Sequence, residues 1–172
     1  MANIVIKTPE ARLSFASLMS LDKKGKYSAC LLFKKGENLD ALKKAVEDVL
    51  KDRFGDKSKW PKGLRSPFRD QGEKEYAGYE EGATFINVRS KNKPLVIDQR
   101  KNDILDEEEV YSGAYVYASV TPFFYDMEGN KGVAFGLNGV QKIRNGEPLG
   151  GAGVSKDAFE VLEGGVQGDL FD

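Results

Sequence analysis

The sequence predicts a mainly β fold, a small and strongly bent barrel with one amphipathic α-helix packed on it. Three observations predict this fold class. Several stretches alternate apolar and polar residues with the two-residue period of a strand, one stretch has the period of a helix, and 19 glycines are spread over 172 residues. Glycines permit the bulges and corners that a small closed sheet requires. The length suits one ordinary domain, which we place at residues 1–153.

The strand predictions rest on composition, alternation and the turns between the stretches. The opening run IVIKTPEARLSFASL is β-like but interrupted by Pro9, and GKYSACLLF (25–33) follows the turn-like DKKGK. The stretches ATFINVRS (83–90) and VYSGAYVYASVTPFFYD (110–126) alternate. DMEGNKG (126–132) predicts a turn, so GVAFGLNGVQKIR (132–144) should pair with the preceding strand as a hairpin.

The clearest helix follows Glu37 and Asn38, in the stretch LDALKKAVEDVLKDRF, and Gly55 marks its end. Its apolar residues share one face, which predicts about four turns packed on the barrel: Leu39, Leu42, Val46, Val49 and Leu50. Residues 56–82 combine glycine, proline, aromatic rings and dense charge, which predicts a long basic and aromatic loop with little regular structure.

The residue types that are missing exclude several classes of enzyme. Without histidine there is no Ser-His-Asp or Cys-His arrangement, and a single cysteine, Cys30, cannot build a zinc site or an internal disulfide. No phosphate-binding G-x-x-x-x-G-K-[ST] loop is present. We therefore predict no cofactor, no metal and no catalysis. One alternative is a magnesium-dependent nuclease that uses Asp98, Asp103 and Asp106, although residues 106–109 are more simply an exposed acidic turn.

The sequence also predicts where the protein works. No stretch approaches the roughly 18 consecutive apolar residues of a membrane span, and the first residues lack the pattern of a signal peptide. Cys30 lies in the apolar run YSACLLF, and a buried thiol there suits a reducing compartment. We expect a soluble, cytoplasmic protein with no membrane partner.

Charge is distributed unevenly along the chain. All 26 Lys and Arg residues lie at or before Lys156, and five of the 27 acidic residues follow it. The first 156 residues therefore carry 22 acidic residues and a net charge of +4, and the remainder carries −5. A basic body with an acidic end is typical of proteins that bind nucleic acid.

The acidic end is glycine-rich and lacks apolar periodicity, so we expect a flexible, disordered tail at residues 154–172. Its last residues place two apolar side chains between carboxylates: Asp169, Leu170, Phe171 and Asp172. This segment could dock in a basic pocket of a partner protein. It could also cover a basic DNA groove until phosphates displace it, or it could only aid solubility. The sequence leaves these three readings open.

Two strand faces carry candidate DNA-binding residues. In the stretch 110–126 the even positions are small and apolar, whereas the odd positions form a row that includes Tyr111, Tyr115, Tyr117 and Phe123. Such a row suits base stacking, although tyrosine is also simply a good strand residue. In ATFINVRSKNK, Thr84, Ile86 and Val88 should face inward, and the other face carries a basic stripe: Phe85, Asn87, Arg89, Lys91 and Lys93.

The loop at 56–82 interleaves basic and aromatic side chains, which suits the clamping of a flexible strand. The candidates that we assign to DNA binding there are Arg65, Phe68 and Arg69, and Tyr76 and Tyr79 belong to the same pattern. For Trp60 we expect an anchoring role against the barrel.

Several of these motifs together resemble a family of tailed-phage single-stranded-DNA-binding proteins. The matching stretches are ARLSFASL, GKYSACLLF, LRSPFRDQGE, EEVYSGAYVYASVTPFFYD and GNKGVAFGLNGVQKIRNGEPLGG, between residues 11 and 151. The resemblance implies an OB-like, five-stranded barrel and a protein that protects single-stranded DNA during phage replication or recombination, in the host cytoplasm. It also implies that the acidic tail recruits replication or recombination proteins.

A second class stays open beside this one. A non-catalytic phage structural or interaction protein would also be a glycine-rich β domain, although it gives no reason for an acidic tail beside a basic body. The sequence leaves open whether the protein forms a homodimer.

Overall fold

The computed structural model describes residues 4–149, in which eight strands form one sheet. The strands are β1 (Ile6–Lys7), β2 (Ala11–Ser17), β3 (Tyr27–Leu32), β4 (Arg69–Asp70), β5 (Thr84–Ser90), β6 (Leu95–Ile97), β7 (Tyr115–Met127) and β8 (Asn130–Arg144). The helix α1 spans Asp40–Phe54. Three short 3-10 turns lie at Lys57–Lys59, Gln71–Glu73 and Glu107–Val110.

Five of the strands close into a ring. The order β7-β2-β3-β5-β8 returns to β7 because β7 and β8 pair as a long antiparallel hairpin. The pairing within the ring is antiparallel except between β5 and β8. This arrangement confirms the mainly β, OB-like fold with five ring strands and one helix, and β1, β4 and β6 are short additions to it.

The inward face of the ring is the core that the alternation predicted. Val116, Ala118 and Val120 of β7 are buried, and Tyr115 and Tyr117, which alternate with them, are half-buried. Leu31 of β3 and Ile86 of β5 are fully buried in the same cluster. An interior of this kind stabilises the fold because it removes apolar surface from water.

The helix covers the ring on the side of β7. Leu42, Val46 and Leu50 are buried, as the helical period predicted, and α1 ends where Gly55 adopts a positive φ. At the end of α1, Phe54 meets Phe124 of β7 edge to face, with 5.1 Å between ring centroids.

Two boundaries differ from the sequence expectation. The strand expected from residue 110 begins only at Tyr115. Val110 instead ends the 3-10 turn Glu107–Val110, in which the Asp106 carboxylate accepts a hydrogen bond from the Glu108 amide at 2.9 Å. The loop at 56–82 is more regular than expected, since β4 pairs with β5. The buried Gln71 side chain also donates to the carbonyls of Phe33 and Thr84, each at 2.8 Å.

A membrane-spanning helix would need more length and more apolar side chains than any helix within residues 4–149 provides.

Gly113, which precedes β7, provides a test of the fold. Its φ is +120°, and a Cβ there would lie 2.3 Å from the Glu147 carbonyl oxygen. Gly113→Ala should therefore lower the free energy of unfolding by about 2–4 kcal/mol, because it adds a backbone clash to a disfavoured φ. Urea unfolding followed by circular dichroism measures the change.

The matched control is Gly36→Ala. Gly36 also has a positive φ, +81°, but its Cβ would meet no atom within 4 Å. Its cost should stay near the roughly 1–2 kcal/mol of the left-handed conformation alone. Equal losses at the two positions would contradict the tight approach of the chain near Glu147.

Candidate nucleic-acid interface

A groove of about 850 Å³ lies on the outer face of β2, β3 and β5. The turn between β2 and β3 forms one wall, and the segment from Lys74 to Tyr79 contributes to the other. Because the inward faces of these strands fill the core, the side chains that β3 and β5 present to the groove are the alternate, outward ones, such as Cys30 and Asn87.

The floor of the groove is set by the register of β3 and β5. Ser28 pairs with Arg89, and Cys30 pairs with Asn87. The Cys30 thiol donates to Asn87 Oδ1 at 2.9 Å. Cys30 was expected in the core, but the pleat of β3 turns it outward onto this floor, where it is half-buried.

Most of the charged side chains that line the groove are cationic. Among residues 4–149, the groove is lined by one carboxylate, that of Asp22, and by six cations: Lys23, Lys24, Lys26, Arg69, Lys74 and Arg89. Arg69 also pairs with Glu73 at 2.6 Å, which lowers the pKa of that carboxyl. Such an excess of positive charge along one groove suits a phosphate backbone.

Four aromatic rings run along the groove in edge-to-face contact. The centroid distances are 5.0 Å from Phe15 to Tyr76, 5.4 Å from Tyr76 to Tyr79 and 5.7 Å from Tyr79 to Phe85. Phe15 and Tyr76 are 37% and 50% exposed, whereas Phe85 is 2% exposed. The rings of Phe15 and Tyr76 are therefore available for stacking on bases, and Tyr79, which packs on the buried Phe85, supports Tyr76.

Phe15 reaches the groove through an irregularity in β2. The register with β3 shifts between Ser14 and Ser17, and Phe15 has a φ of +50°, which is rare for a residue with a side chain. A bulge of this kind re-aims a side chain. Continued alternation from Ala11 and Leu13 would instead have placed Phe15 in the core.

Tyr79 fixes the segment that carries Tyr76. Its hydroxyl lies 3.0 Å from Ser14 Oγ, and burial raises the pKa of Tyr79 well above its usual range. At the base of the same segment, the Asp70 carboxylate accepts hydrogen bonds from the amides of Gly72 and Gly82, and these bonds lower the pKa of Asp70. Both ends of the segment are thus tied to the ring.

The structure brings Arg69 and Arg89 of the expected DNA-binding set to the exposed lining of this groove. Phe85 also lies there, but Tyr79 covers it, so its ring offers no free face to a base. Lys91 and Lys93 follow the end of β5 and lie outside the groove.

The remaining loop candidates lie on other parts of the ring. Arg65 donates to Asn130 Oδ1 at 3.0 Å, beside the β7–β8 hairpin. Phe68 packs against the core and meets Phe135 edge to face at 5.9 Å. Trp60 also packs against the core, which confirms its anchoring role.

The row of aromatics along β7 is not continuous with the groove. Tyr111 precedes β7 and its hydroxyl donates to the Gly146 carbonyl at 2.7 Å. Arg144 lies 4.1 Å from the ring centroid of Tyr115, and Lys7 lies 4.0 Å from that of Tyr117. Phe123, at the other end of the strand, is 42% exposed. A DNA-binding role for these four residues stays a prediction, and Asp169 to Asp172 of the tail lie outside the described residues.

The carboxylates of the nuclease alternative serve local turns. Asp98 accepts hydrogen bonds from the amides of Arg100 and Asn102, at 2.8 and 2.9 Å, and Asp106 caps the 3-10 turn before β7. Within residues 4–149, no group of three or more Cys, Asp or Glu side chains has the arrangement of a metal site.

Comparison with known proteins identifies the family. The model of the family described as "Enterobacter phage Enc34, ssDNA-binding protein" matches residues 3–171. The chain belongs to this family. Its match to the Enc34 family extends past the described residues and takes in nearly all of the acidic tail.

Relatives of the chain include protein p50 of Acyrthosiphon pisum secondary endosymbiont phage 1, which is 33% identical over 91% of this chain and 93% of its own length. The solved single-stranded-DNA-binding protein of phage Enc34 is 21% identical, with a TM-score of 0.68 over 98% of this chain and 90% of that one. Phage T7 gp2.5, another single-stranded-DNA-binding protein, is 14% identical, with a TM-score of 0.68 over 98% and 100%. At these identities the two solved structures show that the Enc34 family chain shares their fold.

Sequence reasoning missed several groove residues, above all the three lysines of the β2–β3 turn. The composition of DKKGK predicts a turn, and its lysines between two strands of a predicted binding sheet are also a signal of phosphate binding. Phe15 gave no such signal.

The floor of the groove can be tested through its thiol, because Cys30 is the single cysteine of the chain. Burial raises the pKa of Cys30 above its usual value. The thiolate is the reactive form, so it should appear only at a higher pH than in a free thiol. We expect iodoacetamide to alkylate Cys30 more slowly at pH 8 than it alkylates a cysteine peptide, with the midpoint of the pH–rate profile displaced upward. The protein unfolded in urea is the control, and a native midpoint at or below the unfolded one would contradict this placement.

Proposed function

We propose that this protein binds single-stranded DNA in the groove on β2, β3 and β5, without sequence preference and without catalysing a reaction. The observation that carries the proposal is the combination of six cationic side chains with the exposed rings of Phe15 and Tyr76 in one groove. Membership of the Enc34 family supports it, and so does the fold shared with an Enc34 protein structure described as a complex with ssDNA.

The cations account for affinity. Each phosphate that a lysine or arginine neutralises releases counterions from the strand, so binding should weaken as salt rises, with a slope of about 0.7 for each neutralised phosphate. Ser28 pairs with Arg89 across β3 and β5 and donates a hydrogen bond to Asp22 of the β2–β3 turn, so the floor cation and the lysines of the turn border the same groove.

The exposed rings explain why the protein would bind single-stranded DNA of any base sequence. Every base offers a π-face, so stacking on Phe15 or Tyr76 contributes about 1–3 kcal/mol per base without selecting among them. Asn87 is the one side-chain amide among the described lining residues, and its oxygen already accepts the Cys30 thiol. The floor therefore offers a base one side-chain amide donor, the Asn87 nitrogen, whereas the cations of the lining attract the phosphates of any sequence.

The biological role follows from this ligand. A protein that covers single strands without sequence preference would protect phage DNA during replication or recombination, in the host cytoplasm. The acidic tail would then recruit replication or recombination proteins or compete with DNA for the groove. These roles rest on the family and on the −5 charge of residues 157–172. The proposal does not include assembly into a homodimer, which the sequence leaves open.

The groove and the β7 row can be separated by two matched substitutions. Tyr76→Ala should weaken binding of a fluorescent thymidine oligonucleotide about tenfold, because it removes an exposed stacking ring. Tyr117→Ala should change affinity less than about twofold, because Lys7 already lies against that ring. Anisotropy titrations at low and moderate salt measure both, with thermal unfolding as the control for folding.

A loss at Tyr117 with none at Tyr76 would move the interface from the groove to β7. If the unaltered protein fails to bind any single-stranded oligonucleotide at low salt, the proposed function is wrong.

The tail is tested by a chain that ends at Lys156. If the tail covers the groove, its removal should tighten binding several-fold at low salt, and the gain should fade as salt screens the five carboxylates. A full-length chain with those carboxylates changed to amides is the control that separates charge from length. Unchanged affinity in both would leave the tail only a role in recruiting partners.

A further inference from the structure

The lysine-bearing wall of the groove is organised by a single carboxylate. Asp22 Oδ1 accepts hydrogen bonds from the amides of Lys24 and Lys26, at 2.8 and 3.0 Å. Asp22 Oδ2 accepts the hydroxyl of Ser28 at 2.6 Å. One side chain thus ties the turn between β2 and β3 to the strand that forms the floor.

The backbone closes the same turn around Asp22. Its amide donates to the Lys26 carbonyl at 2.7 Å, and its carbonyl accepts from Gly25 at 3.0 Å. Gly25 has a φ of +77°, which a glycine adopts without strain. The lysine side chains of this turn project from a backbone that the carboxylate holds in one conformation.

The charge of Asp22 and its position act in opposite directions. The Ser28 hydroxyl and the Lys26 amide lower the pKa of Asp22, so it stays ionised at neutral pH. A negative charge in a groove that binds phosphates opposes binding. The hydrogen bonds that Asp22 accepts act in the opposite sense, because they order the turn that carries Lys23, Lys24 and Lys26. A wall that is ordered before binding loses less entropy when the ligand arrives.

We propose that Asp22 is a positioning residue for single-stranded DNA, which it assists by fixing the lysine turn although its own charge repels the ligand. This inference rests on the proposed function, and it deepens it by naming what orders one wall of the groove. Asp22 itself is not expected to contact the DNA.

Two substitutions at Asp22 remove the same negative charge, but only one of them keeps a hydrogen-bond acceptor for the amides of the turn. Asp22→Asn keeps an oxygen that accepts from the Lys24 and Lys26 amides, whereas Asp22→Ala keeps nothing. We expect the alanine variant to bind a thymidine oligonucleotide about threefold to tenfold more weakly than the unaltered protein, and the asparagine variant to stay within about twofold of it. If charge alone acted, both variants would bind more tightly and by the same factor.

The salt dependence supplies a readout that a general loss of stability would not change. If the lysines of the turn are no longer ordered, the slope of log K against log salt should fall by about 0.7 for each phosphate that they cease to neutralise. Glu75→Ala is the matched control, because it removes an exposed carboxylate that lies between the groove residues Lys74 and Tyr76 in the chain, without touching the turn. Its slope should be unchanged or slightly steeper.

A double-mutant cycle shows whether Asp22 acts through the lysines. In a background of Lys24→Ala and Lys26→Ala, the loss caused by Asp22→Ala should shrink or reverse, because two of the three lysine side chains that it positions are gone. If Asp22→Ala fails to fold, Ser28→Ala is the second variant, since it removes one bond to Asp22 and leaves the charge. We expect it to weaken binding about twofold.

The outcomes separate this inference from the proposed function. No binding by the unaltered protein would overturn the proposed function itself. Normal binding by the unaltered protein, with tighter binding by Asp22→Ala or equal affinities of the two Asp22 variants, would overturn only the positioning role. An undiminished loss in the background without Lys24 and Lys26 would do the same.

Discussion

The pairing of β7 with β8 is the interaction on which the rest of the structure depends. It is the longest ladder in the sheet, and because β7 also pairs with β2 and β8 with β5, it closes the ring. In a closed ring each strand has an inward face, which lines the core and must be apolar, and an outward face, which can be polar. Residues such as Val116 and Phe135 fill the core from the inward faces. The outward faces of β2, β3 and β5 can therefore form the groove.

A ring alone does not make a groove, and the walls come from segments held to the ring by polar contacts. Gln71 is buried, and its amide donates to two backbone carbonyls while its oxygen accepts from the Glu80 amide at 2.8 Å. Asp70 and Tyr79 add further ties on the same side. Buried polar groups of this kind fix one geometry because leaving any of them unpaired is costly. The opposite wall relies on Asp22 in the same way.

The local periodicities of the sequence predict most of the fold. The helix face of α1, the turn of the β7–β8 hairpin and the inward positions of β7 follow from spacing alone, and the structure has them. The site was harder, because its residues meet only after folding. Phe85 alternates outward as expected, yet Tyr79, six positions earlier in the chain, folds over it. Phe15 obeys no alternation, since the bulge in β2 reverses its side. No periodic pattern in the sequence predicts that Tyr79 covers Phe85 or that the side chain of Phe15 faces outward.

The contrast between the two aromatic sets explains why the groove, and not the β7 row, is the stronger candidate interface. Tyr115 and Tyr117 each have a cation against the ring, so a base that stacked there would have to displace an attractive contact before gaining its own. Phe15 and Tyr76 touch each other edge to face and keep ring surface in solvent. The lysines of the β2–β3 turn, in contrast, lie on a wall of the groove, where they can meet phosphates while the bases stack. Separating the two kinds of contact in this way lets a strand bind through both at once, which is what sequence-independent binding requires.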